Sequence, residues 1–182
     1  MISDQKGIVI WLFGLSGAGK TTIALLLKEK LEKDGFSITT LDGDELRKGI
    51  NKDLSFTDPD RQENIRRAAE IAKIMVNNNF ITICSFITPL QRHREMASNI
   101  LGAHYFEVFV DCPLDVCSKR DAKGLYQKAR TNQIAHFTGI SSAFEQPENP
   151  YFVVYTELES PEESMEKLYY KIIPLLSLAV PG

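Results

Sequence analysis

The residues with the clearest chemical purpose form one run, Gly14-Leu15-Ser16-Gly17-Ala18-Gly19-Lys20-Thr21, followed by Thr22. The run fits G-x-x-x-x-G-K-[ST] at every fixed position. Glycines at this spacing let successive backbone N–H groups turn inward onto phosphate oxygens, and a following helix adds the favourable end of its dipole. In such a loop Lys20 reaches the β- and γ-phosphates of a nucleoside triphosphate, and the Thr21 hydroxyl ligates Mg2+. A second candidate group is Leu41-Asp42-Gly43-Asp44. At the end of a strand, either carboxylate could accept a proton from an attacking hydroxyl and approach the same cation, or cap the next helix.

These groups need a frame. Residues 7–13 are a continuous β-rich apolar run, as expected of a strand buried on both faces, and residues 21–33 carry helical apolar spacing at Ile23, Leu27 and Leu31. Further strands are predicted at 37–41, 80–84, 105–110 and 153–155. A long helix follows Asp58-Pro59, read as an N-cap with proline in first helical position. Its buried stripe is Ile65, Ala68, Ala69, Ala72 and Met75. Helices are also predicted around 91–100, 114–120 and 161–176. Strands alternating with helices imply an α/β fold with a mainly parallel sheet covered on both faces, which puts the loop and the aspartates at its C-terminal edge.

The chain has 182 residues and no repeat or low-complexity tract, so a single domain over 1–182 is expected. A net charge of −3 argues against wholesale binding of nucleic acid or anionic membrane, so anion binding must come from local basic clusters. Three cysteines and three histidines are scattered without metal-ligand spacing, which reads as reduced thiols and a cytoplasmic setting. No signal peptide and no membrane span is expected, because the apolar runs fall far short of about 18 residues. Asn51-Lys52-Asp53 only imitates the guanine-reading N-K-x-D, since Leu54 stands in its last place. Asp121-Ala122-Lys123-Gly124 matches D-x-x-G in the wrong order for a GTPase.

Residues 42–73, DGDELRKGINKDLSFTDPDRQENIRRAAEIAK, decide between kinase families. Together with Phe86-Ile87-Thr88-Pro89, Val110-Asp111-Cys112-Pro113, Arg120-Asp121, Lys123-Gly124-Leu125-Tyr126, Phe137-Thr138-Gly139-Ile140 and residues 145–150, this segment resembles the adenylylsulfate kinase (APS kinase) family of P-loop kinases. The resemblance covers nearly the whole chain. It implies a three-layer P-loop NTPase-type fold with a five-stranded sheet and a lid over roughly residues 121–146. It also implies transfer of phosphate from ATP, with Mg2+, to the 3′-hydroxyl of adenylylsulfate in a homodimeric enzyme of sulfate assimilation. By the same analogy Asp44 lies at the reacting hydroxyl, as base or metal-linked orienter. Arg47 and Arg61 hold the phosphosulfate, Asn64 bonds the nucleotide, and Phe56 and Phe137 sandwich the acceptor adenine. Ile87, Thr88, Lys123, Gly124 and Leu125 lie near the acceptor, and Arg120 near the ATP base. Thr88 stands where the family usually has a serine that some members are described as phosphorylating. A kinase of the same build acting on another nucleotide-linked anion, or a non-catalytic nucleotide-binding regulator, remains an alternative reading.

Overall fold

In the computed structural model, residues 5–121 and 123–177 are described. The strands are β1 (Ile8–Phe13), β2 (Ile38–Asp42), β3 (Ile81–Phe86), β4 (Tyr105–Asp111) and β5 (Phe152–Tyr155). They form one sheet of order β2-β3-β1-β4-β5, and every pairing is parallel. The helices are α1 (Lys20–Lys33), α2 (Gly43–Lys48), α3 (Asp58–Asn77), α4 (Gln91–Leu101), α5 (Leu114–Arg120), α6 (Leu125–Arg130) and α7 (Pro161–Ser177), with a 3-10 turn at Gly102–His104.

All six residues of β1 are buried, and its period of two divides them between the two faces. Ile8, Ile10 and Leu12 pack with Ile23, Leu27 and Leu31 of α1 and with Leu168 and Ile172 of α7. Val9, Trp11 and Phe13 pack with Ile65, Ala68, Ala69 and Ala72 of α3 and with Ala97 and Leu101 of α4. The result is three layers, helix–sheet–helix. The parallel register aligns Phe13 with Phe86 and Phe109, so the chain leaves β1, β3 and β4 at one edge.

Three details differ from the sequence expectation. The long helix begins one residue earlier, with Thr57 in the cap position and Asp58 already helical. Asp60 supplies the anchor instead, accepting from the backbone N–H of Ser55 at 3.1 Å and from the Thr57 hydroxyl at 2.9 Å. The buried stripe of α3 continues to Val76, while Met75 is only partly buried, because an i, i+3, i+4, i+7, i+11 sequence advances past 75. Two short helices, α2 after Asp42 and α6 after Gly124, are absent from that expectation. Each is too short for periodicity to reveal.

Candidate active site

The edge described above opens into a cleft of about 540 Å3. Its floor is the loop between β1 and α1. Gly14 lies so close to β4 that a Cβ there would come within 2.4 Å of the Val110 carbonyl oxygen. Gly17 holds φ at +77°, in the left-handed region that glycine tolerates. Ser16, Gly17, Gly19, Lys20, Thr21 and Thr22 all line the cleft, whereas Gly14, Leu15 and Ala18 form the frame behind it. The Lys20 ammonium donates to the carbonyls of Gly14 at 2.9 Å and Leu15 at 2.7 Å. Burial lowers its pKa to about 8, against the raising influence of Cys117, Asp42 and Asp44. It is therefore a poorly solvated cation waiting at the loop, a property suited to meeting phosphate charge.

The aspartates take distinct positions. Asp42 caps α2, its Oδ1 accepting from the backbone N–H of Asp44 at 2.9 Å, while its Oδ2 accepts from the Thr21 hydroxyl at 2.9 Å. Asp44 projects from the first turn of α2 and pairs with Lys123 at 2.5 Å, and that bond raises the Lys123 pKa. Both aspartates line the cleft. The Thr21 hydroxyl with two neighbouring carboxylates is a hard oxygen donor set. It fits Mg2+, which takes one or two protein carboxylates and completes its shell with phosphate and water.

The opposite wall comes from the segment after α2 and from α3. Arg47 donates to the Leu54 and Ser55 carbonyls at 3.1 and 2.8 Å, and its guanidinium lies 4.3 Å from the Phe56 ring centroid. Arg61 donates to the Phe56 carbonyl at 2.9 Å and to the His136 carbonyl. Burial lowers the pKa of both arginines, and for Arg61 the neighbouring Arg47 charge adds to the effect. Two partly desolvated guanidiniums thus lie beside a half-exposed aromatic ring, groups whose chemistry suits an anion and a stacked base. Asn64 lies one turn along α3 on the same face, its Oδ1 accepting from Asn51 at 2.9 Å. Asn51, which only imitated a guanine-reading motif in the sequence, thus orients Asn64. Asp121, of the other false motif, accepts from the N–H groups of Tyr126 and Gln127 at the start of α6.

Among the remaining expected residues, Ile87, Thr88, Arg120, Lys123 and Leu125 line the cleft, and Gly124 does not. Arg120 donates to the Thr156 hydroxyl at 3.3 Å and to its carbonyl, and that hydroxyl donates to the Ala18 carbonyl at 2.8 Å. Thr88 is buried, and its hydroxyl accepts from the Trp11 indole at 2.9 Å. Phe137 packs edge-on to Tyr126, with centroids 4.9 Å apart, in the core cluster on the α1 side, while Tyr126 and Phe56 line the cleft. An apolar ring with such a partner gains more from burial than from facing water. Trp11, Asn51 and Thr156 carry no local sequence signal for these roles. Their roles depend on contacts between segments far apart in the chain.

A glycine-rich phosphate loop, carboxylates at the sheet edge and a basic wall facing them define a P-loop phosphotransferase. The family model for adenylylsulphate kinase matches residues 6–155. An adenylyl-sulfate kinase from Bacteroides fragilis is 49% identical over 174 residues, which cover 95% of this chain and 86% of that protein. A Halothermothrix orenii adenylyl-sulfate kinase is 47% identical over 91% of this chain and 89% of its own length. Among solved structures, the Mycobacterium tuberculosis APS kinase CysC in complex with AMPPNP and APS superposes with a TM-score of 0.89 at 40% identity, covering 92% of this chain and 98% of that one. The chain belongs to the adenylylsulphate kinase family.

Proposed function

We propose that this protein transfers the γ-phosphoryl group of ATP to the 3′-hydroxyl of adenosine 5′-phosphosulfate, giving 3′-phosphoadenosine 5′-phosphosulfate and ADP for sulfate assimilation. The observation that carries the reading is that one cleft joins the Lys20 loop to the Arg47–Phe56–Arg61 wall, with Asp42 and Asp44 between them. Donor phosphates rest on the loop amides and Lys20. The dianionic phosphosulfate meets the two arginines, which can make charge-assisted bonds, and the adenine stacks on Phe56. Arg120 borders the donor side, and Ile87, Thr88 and Asn64 border the acceptor.

The reaction forms a bond from the 3′-oxygen to the γ-phosphorus and breaks the bond from that phosphorus to the β–γ bridging oxygen. Asp44 orients the hydroxyl and takes its proton, and Lys123 holds the Asp44 carboxylate in place. Lys20 and the loop amides stabilise charge on the transferring group and on the leaving ADP. Thr21, Asp42 and Asp44 are the residues that would hold Mg2+, which when bound neutralises phosphate charge. Residues 121–146, carrying Lys123 and His136, act as the segment that closes over the cleft and excludes water. The described residues work as one kinase unit.

Among the described residues no helix is long and apolar enough to cross a membrane. Buried, unpaired Cys84, Cys112 and Cys117 suit a reducing cytoplasm, and the family resemblance supports a homodimer. The deciding assay supplies ATP, Mg2+ and adenylylsulfate to the purified protein and follows ADP and the 3′-phosphorylated product. Parallel reactions offer other nucleotide-linked anions. Product from adenylylsulfate at a kcat/KM well above every other acceptor supports the assignment, and turnover confined to a different acceptor overturns it.

A further inference from the structure

We infer that Trp11 and Arg94 are positioning residues for the acceptor, holding the turn at Thr88, whose hydroxyl serves as a hydrogen-bond acceptor and carries no phosphoryl group. The inference rests on the phosphotransferase reading above. Thr88 has φ of +42°, a left-handed conformation that costs a β-branched residue about 1–3 kcal/mol and persists only where surroundings enforce it. Two buried donors do so. The Trp11 indole N–H donates to the Thr88 hydroxyl at 2.9 Å, and Arg94 Nη1 donates to the Thr88 carbonyl at 3.3 Å. Trp11 is fully buried, and Arg94 and Thr88 are each only 1% exposed. Arg94 is itself fixed by Gln91 at 2.8 Å, Glu107 at 3.8 Å and the Phe13 ring at 5.0 Å.

The turn so held is tied to the phosphate loop and to the 121–146 segment. The Ile87 carbonyl accepts from the N–H of Gly14, the first glycine of the phosphate loop, at 3.3 Å. The Pro89 carbonyl accepts from the N–H of Glu145 at 2.8 Å, tying in the end of the 121–146 segment. Ile87, Thr88 and Pro89 line the cleft, and Trp11 faces the sheet side covered by α3, which carries Arg61 and Asn64. Phosphorylating Thr88 would put a group of roughly two negative charges beside a buried aromatic ring.

The test uses Thr88→Val, which keeps the shape and removes the acceptor, Trp11→Phe, which removes the donor, and Thr88→Ser, which keeps the hydroxyl. Thr88→Val and Trp11→Phe should each raise KM for adenylylsulfate about tenfold, leaving KM for ATP within about twofold. The double variant should be no worse than either single, since one bond is lost in all three. Thr88→Ser should recover most of the acceptor affinity that Thr88→Val loses, and Arg94→Lys should show the same acceptor-side split as Thr88→Val. An unchanged acceptor KM in both single variants, additive losses in the double, or label retained on Thr88 after incubation with γ-labelled ATP overturns the proposal. If the variants fold poorly, the parent protein decides. It has one tryptophan, so its indole N–H gives one resonance. Slow solvent exchange of that proton supports the clamp, and exchange as fast as in an exposed indole refutes it. A parent protein inactive on adenylylsulfate would remove the assigned acceptor, and the indole measurement would still judge the clamp.

Discussion

Replacing Lys20 with methionine should abolish activity and yet stabilise the ligand-free protein. The Lys20 side chain is 9% exposed, and burial takes its pKa from an ordinary 10.5 to about 8. At about 1.4 kcal/mol per factor of ten in proton affinity, holding the charged amine there costs roughly 3 kcal/mol at neutral pH. Its bonds to the Gly14 and Leu15 carbonyls return about 1 kcal/mol each. The balance favours the unbranched apolar side chain by ~1 kcal/mol, or about 2–4 °C in Tm for a chain of this size. The pH dependence carries the sign. Below pH 8 the folded and unfolded lysines are both charged, so the native protein bears the full deficit. Between pH 8 and 10.5 the folded lysine sheds its proton while the unfolded one keeps it, so native stability rises with pH. The advantage of Lys20→Met should accordingly shrink above pH 8 and invert near pH 9. Urea denaturation of both proteins at pH 7, 8, 9 and 10 measures this, with other titrating groups cancelling in the difference. A variant several degrees less stable at pH 7, or a stability difference constant across the series, would refute the reasoning. With ATP added, only the native protein should gain stability through binding.

Asp44→Asn should lower kcat by about 10²–10⁴ with little change in KM for ATP, read from ADP release, because it removes the proton acceptor and keeps the shape. Arg61→Ala should raise KM for adenylylsulfate by roughly 10–100-fold, the loss of charge-assisted bonds worth about 1.5–3 kcal/mol, with a smaller fall in kcat. Phe56→Ala should weaken acceptor binding by about 1–3 kcal/mol in titration calorimetry, and its half-exposed ring predicts an almost unchanged Tm. Phe137→Ala should show the reverse pattern. With a ring buried against Tyr126, it loses about 3–5 kcal/mol of stability by urea denaturation.

The sequence by itself determined the five-strand frame and the phosphate loop, because each is written in local order. Buried parallel strands are continuous apolar runs. The loop is eight consecutive residues with obligatory glycines, and Arg61 and Asn64 share a helix face by their spacing alone. Only the tertiary structure decided what depends on segments meeting from afar. It divided the aspartates, giving Asp42 to the α2 cap and Thr21, and Asp44 to Lys123. It also put Phe137 in the core while leaving Phe56 in the cleft. Trp11 and Thr88 are 77 positions apart, and no periodicity or motif links them. Their bond exists because β1 and β3 lie side by side in the sheet, an arrangement fixed by burial of two faces at once and not by any local preference of the chain.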